Sequence, residues 1–350
     1  MRFLKIMKTP VLLLTVTLLL SCELLLGPEP DTSPEGILKS LWDDFNNIYA
    51  YMDFRMSENL LFDDWYDVYY NQQRGYARRV TSNMSDDSLF NVCAWMLREL
   101  KDPHVGLYAP GKFASSYTED DEDFNLELIK QQLTNRGTGK YKNFYYGTFS
   151  SANIGYIHII GFTEDNVDPM NQTWGKAIDD IIIDIAHTDA LILDIRGNRG
   201  GHVYAMEYIA ARFASAHKEY LIARQKNGPG PNDYQKPRTH IITPANIRYT
   251  KPILLLTNKD TVSVSERFTM ALRTQDHITH IGTKTRGALS VRIERPMING
   301  WFYSISSERV TDMNGKIYEG VGIEPDVRVE YGVNDRQIDS AVELAKKLGQ

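Results

Sequence analysis

Apolar side chains recur at Ile37, Leu38, Leu41, Trp42, Phe45, Ile48 and Tyr49, the spacing that turns one helical face toward a core. Ser33-Pro34 marks the start of that helix, a capping hydroxyl followed by a proline whose missing N–H costs nothing there. A second helical stretch, rich in aromatics, runs from Phe62 to Tyr70. A third runs from Asp86 to Leu100, with Leu89, Cys93, Met96, Leu97 and Leu100 on one side. Residues 33–108 therefore read as a small helical domain. The next stretch, 109–150, is polar, with the acidic run Glu119–Asp123 and the turn-forming Asn135–Gly139, and reads as a solvated connecting segment.

From Ile154 the pattern changes. Ile154–Ile160 is a strand, Trp174–Ala186 a helix, and Ala190–Ile195 a near-continuous apolar strand. His202–Ala216 reads as helix, Ile253–Leu256 as a buried strand, Glu266–Thr274 as helix, and Asp335–Leu348 as a closing helix. Buried strands alternating with helices predict an α/β core over 151–350, with its loops for chemistry at strand ends.

The beginning of the chain follows a different pattern. Arg2, Lys5 and Lys8 precede the apolar run Val11–Leu20, too short to span a bilayer and suited to a signal-peptide core. The run ends in Leu19-Leu20-Ser21-Cys22, a small residue directly before a cysteine, as bacterial lipoprotein signals do. The expectation is a signal over 1–21, lipidation at Cys22 and a proline-bearing tether over 22–32. Acyl chains on Cys22 would hold the protein on a membrane, at ~0.8 kcal/mol per buried methylene. The protein is then exported and anchored in the bacterial cell envelope.

Composition narrows the functions. The only other cysteine, Cys93, lies in an apolar helix and reads as a buried, inert thiol. A formal net charge of −6 without a basic cluster argues against nucleic acid as a partner. Without zinc-like Cys/His spacing or a phosphate loop, neither a metal nor another cofactor is expected. The oligomeric state is not readable.

Two strand ends carry candidate chemistry. Leu191–Ile195 runs into Arg196-Gly197-Asn198-Arg199-Gly200-Gly201, whose glycines let backbone N–H groups approach a ligand ahead of a helix. Leu254–Thr257 runs into Thr261-Val262-Ser263-Val264-Ser265-Glu266, where a serine stands between a strand and a helix start. Such a serine either exposes its hydroxyl, with the next N–H ready for an oxyanion, or only caps the helix.

Together these blocks resemble the signature of the C-terminal processing, or tail-specific, serine peptidases. Gly282–Gly287 resembles the family's glycine–threonine–glycine turn, and Ile317–Val327, preceded by Asp312–Gly315, its closing block. Ile154–Phe162 resembles the strand that opens its core. The resemblance spans residues 33 to about 330. It implies an α/β (α+β) fold with a mixed sheet of the ClpP/crotonase-like type, a polypeptide substrate, and Ser263 as nucleophile.

Two departures point to a particular branch. Many members place a lysine base just after the second glycine, where this chain has Ala288; Lys284 lies nearby but off the pattern. Many also insert a PDZ domain, for which the stretch between Tyr108 and the core is too short. The branch resembling the tricorn protease core uses serine, histidine and glutamate. Leu100-Lys101-Asp102-Pro103-His104 and Glu319 match that branch. The resemblance thus implies His104 as general base and Glu319 as its orienter, with His202 as a rival base. The oxyanion hole would draw on the N–H groups of Val264 and of Gly200 or Gly201. Asp194 and Arg196 read as ties between the glycine loop and the core. The competing function is a non-catalytic binder of hydrophobic ligands or peptides, because interphotoreceptor retinoid-binding protein also resembles this family.

Overall fold

The computed structural model describes residues 29–58, 62–117, 124–137, 142–163, 173–332 and 334–349. The N-terminal apolar run, Cys22 and the acidic run Glu119–Asp123 lie outside the described residues. Among the described residues, no helix is long and apolar enough to cross a membrane.

The N-terminal part is helical, as the pattern requires: α1 (Pro34–Ile48), α2 (Met52–Glu58), α3 (Trp65–Tyr70) and α4 (Asp86–Arg98). Ser33 caps α1 by accepting the Gly36 N–H at 3.1 Å, with Pro34 at the first helical position. Trp42 and Trp65 lock α1 to α3 by donating to each other's carbonyl oxygens at 2.8 and 3.1 Å. Cys93 is fully buried, and burial pushes its thiol up to about 12, so it is inert.

This helical part is welded to the core by a sheet. Strands β1 (Gly106–Ala109) and β2 (Lys112–Ser115) form a hairpin. After the helical and β elements that follow come β11 (Arg292–Pro296) and β12 (Phe302–Ser306), which complete a four-stranded antiparallel sheet in the order β11-β12-β1-β2. Tyr303 and Ile305 of β12 are buried among the side chains of α1 and α4. One apolar cluster therefore spans residues far apart in sequence.

The second sheet has seven strands, adding β3 (Leu133–Thr134), β4 (Phe144–Phe149), β5 (Ile154–Ile159), β6 (Ala190–Asp194), β9 (Ile253–Thr257), β10 (Ile278–Gly282) and β14 (Val327–Arg328). Its order is β14-β10-β9-β6-β5-β4-β3, parallel from β5 to β14 and antiparallel at β4 and β3. The sheet is mixed, as the resemblance implies. Every residue of β6 and β9 is buried, which explains their unbroken apolar runs. Helices α6 (Thr173–Ile185), α7 (Val203–Ala210) and α8 (Val264–Leu272) cover one face. Helix α9 (Arg336–Leu348) covers the other, with α5 (Leu126–Gln132) beside it. A small sheet of β13 (Glu308–Thr311), β7 (Lys218–Gln225) and β8 (Arg238–Ile242) completes the fold.

The expected connecting segment is in part structural. It supplies β2, α5, β3 and the wholly buried β4, whose Phe144-Tyr145-Tyr146 is aromatic enough to pack between β5 and the edge strand β3. Its polar flanks conceal that run in a residue-averaged reading. The 202–216 helix is shorter than expected, ending as α7 at Ala210.

Candidate active site

Ser263 stands where the turn after β9 meets α8. Its backbone has φ 67° and ψ −125°, a left-handed setting that costs a residue with a Cβ ~1–3 kcal/mol. Two hydrogen bonds hold it there. The Val262 N–H donates to Asn198 O at 3.1 Å, and the Ser263 N–H donates to Glu266 Oε2 at 3.1 Å. Glu266 is fully buried and also accepts from Thr285 Oγ1 (2.6 Å) and from the N–H groups of Gly287 (2.6 Å) and Ala288 (2.7 Å). Burial pushes its carboxyl up to about 6, against the pull of those donors.

The turn after β6 lies against Ser263. Arg196 is fully buried and anchors this turn through Asp194 (2.7 Å), Asp335 (2.8 Å) and Gln337 (2.9 Å). Asn198 then ties the two strand ends together. Its side-chain oxygen accepts from the Gly200 N–H at 2.9 Å and from Ser265 Oγ at 2.5 Å, while its amide donates to Ile159 O at 2.9 Å. Gly200 has φ +93°, and a Cβ there would lie 2.9 Å from both Ser263 Cβ and the Val264 nitrogen. The Gly200 N–H is thus spent on Asn198, which corrects its assignment as an oxyanion donor. What Gly200 contributes is close approach. The amides of Gly201 and Val264 remain the candidate pair.

His104 arrives from the other lobe. It precedes β1, and β1 pairs with β12 through Gly106↔Ser304 and Leu107↔Tyr303, which carries the histidine across to the sheet lobe. The His104 N–H donates to Asp102 Oδ1 at 2.8 Å, and Tyr49 Oη donates to Asp102 Oδ2 at 2.8 Å, so the loop is pinned beneath the ring. His104 is buried and its Nδ1 has no hydrogen-bond partner. Burial lowers its pKa to about 4, helped by Arg292 and Arg267 and opposed by Asp102.

Glu319 is fully buried on the turn that closes the core. Its Oε2 accepts the N–H groups of Leu289 (2.6 Å) and Ser290 (3.1 Å), and its Oε1 has no partner. Burial, with Asp102 and Glu266 nearby, pushes this carboxyl well above the usual range, while Arg55 pulls it down. One donor or acceptor atom each of Asp102, His104 and Glu319 lies within 4.8 Å of the others. Three such groups could share a cation, but both Asp102 oxygens and Glu319 Oε2 are already committed. The remainder, one buried ring nitrogen and one buried carboxylate oxygen, fits a His–Glu hydrogen bond better than a metal's ligand set.

The structure brings Ser263, Val264, Gly201 and His104 to one cleft of about 660 Å³. His202 is exposed at its rim, its ring stacked on Tyr204 at 5.2 Å. Lys284 lines a different depression and is 45 % exposed, 4.0 Å from Glu324. Ala288, in place of the lysine, is buried. Sequence reasoning missed Asn198 and Arg55. Both act through partners that only folding supplies, and the one available signal was an asparagine inside a glycine turn.

Fold and site together define an α/β protein whose Ser263 turn shares a cleft with His104, which itself lies beside Glu319. The model of Peptidase family S41 matches residues 153–329, half of the chain, and the chain belongs to that family. It is 25 % identical over 177 residues to the carboxy-terminal processing protease CtpB of Bacillus subtilis, covering 51 % of this chain and 34 % of that one. A carboxy-terminal-processing protease of Bartonella bacilliformis is 29 % identical over 188 residues, covering 53 % and 41 %. This chain thus spans about a third to two-fifths of the length of these relatives. Among solved structures, a candidate peptidase from Parabacteroides merdae superposes with a TM-score of 0.78 at 25 % identity, covering 90 % of this chain and 97 % of that one. The photosystem II D1 C-terminal processing protease shares the fold, with a TM-score of 0.54 at 14 % identity over 91 % and 98 % of the two chains. The tricorn protease shares it too, with a TM-score of 0.50 at 15 % identity over 91 % of this chain and 37 % of the other.

Proposed function

We propose that this chain is a serine endopeptidase of the C-terminal processing type, cutting polypeptides through an acyl-enzyme on Ser263. The observation that carries this reading is that His104, which lines the cleft with Ser263, and Glu319 bring donor or acceptor atoms within 4.8 Å of each other, while each keeps a buried atom without a partner, Nδ1 and Oε1. A partnerless buried polar atom is costly, so a complementary pair of them marks a hydrogen bond that tightens in use.

With Nδ1–H turned to the Glu319 carboxylate, Nε2 is left bare for the cleft. Nε2 takes the Ser263 proton as Oγ attacks the scissile carbonyl carbon, and the negative charge on the carbonyl oxygen falls to the Val264 and Gly201 amides. Collapse breaks the C–N bond, and the leaving amine takes the proton from Nε2. Water then repeats the sequence on the ester and frees Ser263. Burial of His104 keeps the imidazole neutral near pH 7, the form a base requires. Export and lipid anchoring at Cys22 complete the proposal and place the enzyme in the cell envelope.

Ser263→Ala should abolish cleavage of unfolded polypeptides, by ~10⁴-fold or more, while circular dichroism stays native. His104→Ala should lose activity comparably, and Lys284→Ala should stay within a few-fold of wild type. Full activity in Ser263→Ala would refute the mechanism. Inertness of the wild type, with tight retention of a lipid or peptide, would establish the binder instead.

A further inference from the structure

The four-stranded sheet that joins the lobes has two faces, and the core accounts for only one of them. Leu107, Tyr303 and Ile305 point inward and are fully buried in the apolar cluster of the helical lobe. Side chains alternate along a strand, so the neighbours of these residues point outward. Across that outer face the register sets Pro296, Phe302, Tyr108 and Phe113 in a single row, one from each of β11, β12, β1 and β2. Tyr108 stands between the two phenylalanines, its ring 5.5 Å from Phe302 at 20° and 4.7 Å from Phe113 at 31°. Even so, Phe302 is 44 % exposed and Phe113 61 %. Aromatic rings gathered on the side of a sheet away from its core mark a contact surface.

The row is continuous with the cleft at Ser263. Ser115 follows Phe113 by two residues on β2, which puts it on the same face, and it lines that cleft. So does Arg292, which donates to Tyr108 Oη at 2.7 Å from the first position of β11. Gly106 keeps the floor low. A Cβ there would lie 3.0 Å from Phe113 Cε2, so the missing side chain lets that ring lie over β1. Gly106 is two residues after His104, and Tyr108 two further on. At ~3.4 Å per extended residue, a polypeptide leaving the cleft along this face meets the rings about four residues from His104.

We propose that this aromatic row is a substrate subsite, taking an aromatic or large aliphatic side chain of the polypeptide about four residues from the bond to be cut. This inference rests on the peptidase reading and names its substrate class. The occupant is the substrate chain because the rings join the cleft through Ser115 and Arg292. The exposed pair Tyr66 and Tyr70 on α3, stacked at 4.4 Å, lines no part of that cleft and serves as the comparison.

The test uses internally quenched peptides, acetylated and amidated, in which one phenylalanine is moved through the positions on either side of the cleavage site, against serine at the same positions. The full-length wild type should cut the best phenylalanine peptide at least about tenfold more efficiently in kcat/KM than its serine twin. The gain should lie in KM, because the rings hold the peptide equally before and during reaction. That ratio should fall severalfold in Phe113→Ser and in Phe302→Ser and recover in part in Phe113→Leu, while Tyr66→Ser keeps it. Circular dichroism checks the fold of each variant. Binding of the same labelled peptides to Ser263→Ala and to wild type, read by fluorescence anisotropy, separates the two proposals. If no peptide is cut but phenylalanine peptides bind more tightly, and Phe113→Ser removes the difference, the peptidase reading fails and the subsite stands. Equal cutting and binding of the twins would overturn the subsite, as would a ratio that both serine variants leave unchanged. A Phe113→Ser chain that loses dimerisation, or binding to phosphatidylglycerol–phosphatidylcholine vesicles, with its peptide ratio intact would overturn it too, assigning the rings to a second copy or to a bilayer.

Discussion

In the proposed mechanism, His104, Glu319 and Arg55 set the chemistry as single side chains. The imidazole is held neutral mainly by burial, with a pKa of about 4, so at neutral pH it has room to accept a proton. Glu319 has the opposite problem: burial and the nearby Asp102 favour its protonated form, which cannot orient the ring. Arg55, buried on α2, supplies the opposing charge. It sits so close to the closing turn that a Cβ on Gly320 would lie 2.3 Å from its Nη1. Removing that cation leaves the Glu319 carboxylate without its stabiliser, so its pKa rises further. In the proposed mechanism the acidic limb of the kcat/KM profile belongs to the coupled His–Glu pair. Arg55→Met should therefore move that limb to higher pH, with Arg55→Lys restoring part of the shift. A limb at the same pH in Arg55→Met would show that Arg55 only packs.

At the scale of elements, the site is two strand-end turns pressed together. The 196–201 turn after β6 and the Ser263 turn before α8 are joined by Asn198 and by the absence of a side chain on Gly200. Gly200→Ala asks a residue with a Cβ to hold φ +93° while that atom meets Ser263 Cβ and the Val264 nitrogen at 2.9 Å. We expect a loss of ~1–3 kcal/mol in stability and, on the proposed mechanism, a fall in kcat of at least ~100-fold, because the Val264 and Gly201 amides shift. Urea titration beside steady-state kinetics measures both, and near-normal kcat would mean that the turns can separate without harm. The glycines and Ser263 were legible as strand-end punctuation. Asn198 was not, because a side chain that bonds groups on three separate segments leaves no local pattern.

Across the whole molecule, the site depends on how the lobes and the final helix are fastened. The pairing of β1 with β12 brings the helical lobe's His104 to the sheet lobe, and Arg196 ties the β6 turn to the start of α9 through Asp335 and Gln337. Arg196→Leu would strand Asp194 and Asp335 as buried charges. The expected cost is ~3–5 kcal/mol, read as a lower urea midpoint, since breaking one side of a buried ion pair costs far more than the pair itself contributes. A change under ~1 kcal/mol would mean that water reaches these carboxylates.

The order of residues along the chain was enough for the helical start, the buried strands β6 and β9, the serine elbow and the four motifs that resemble the peptidases. These are local: each depends on spacing within a few residues, where backbone geometry repeats. The strand β4, the bonding of Gly200 and the charge beneath Glu319 were settled by folding. So was the meeting of His104 with Glu319, more than two hundred positions apart. Burial and distance between remote segments create pKa shifts and hydrogen-bond partners, and neither exists until the chain has closed on itself.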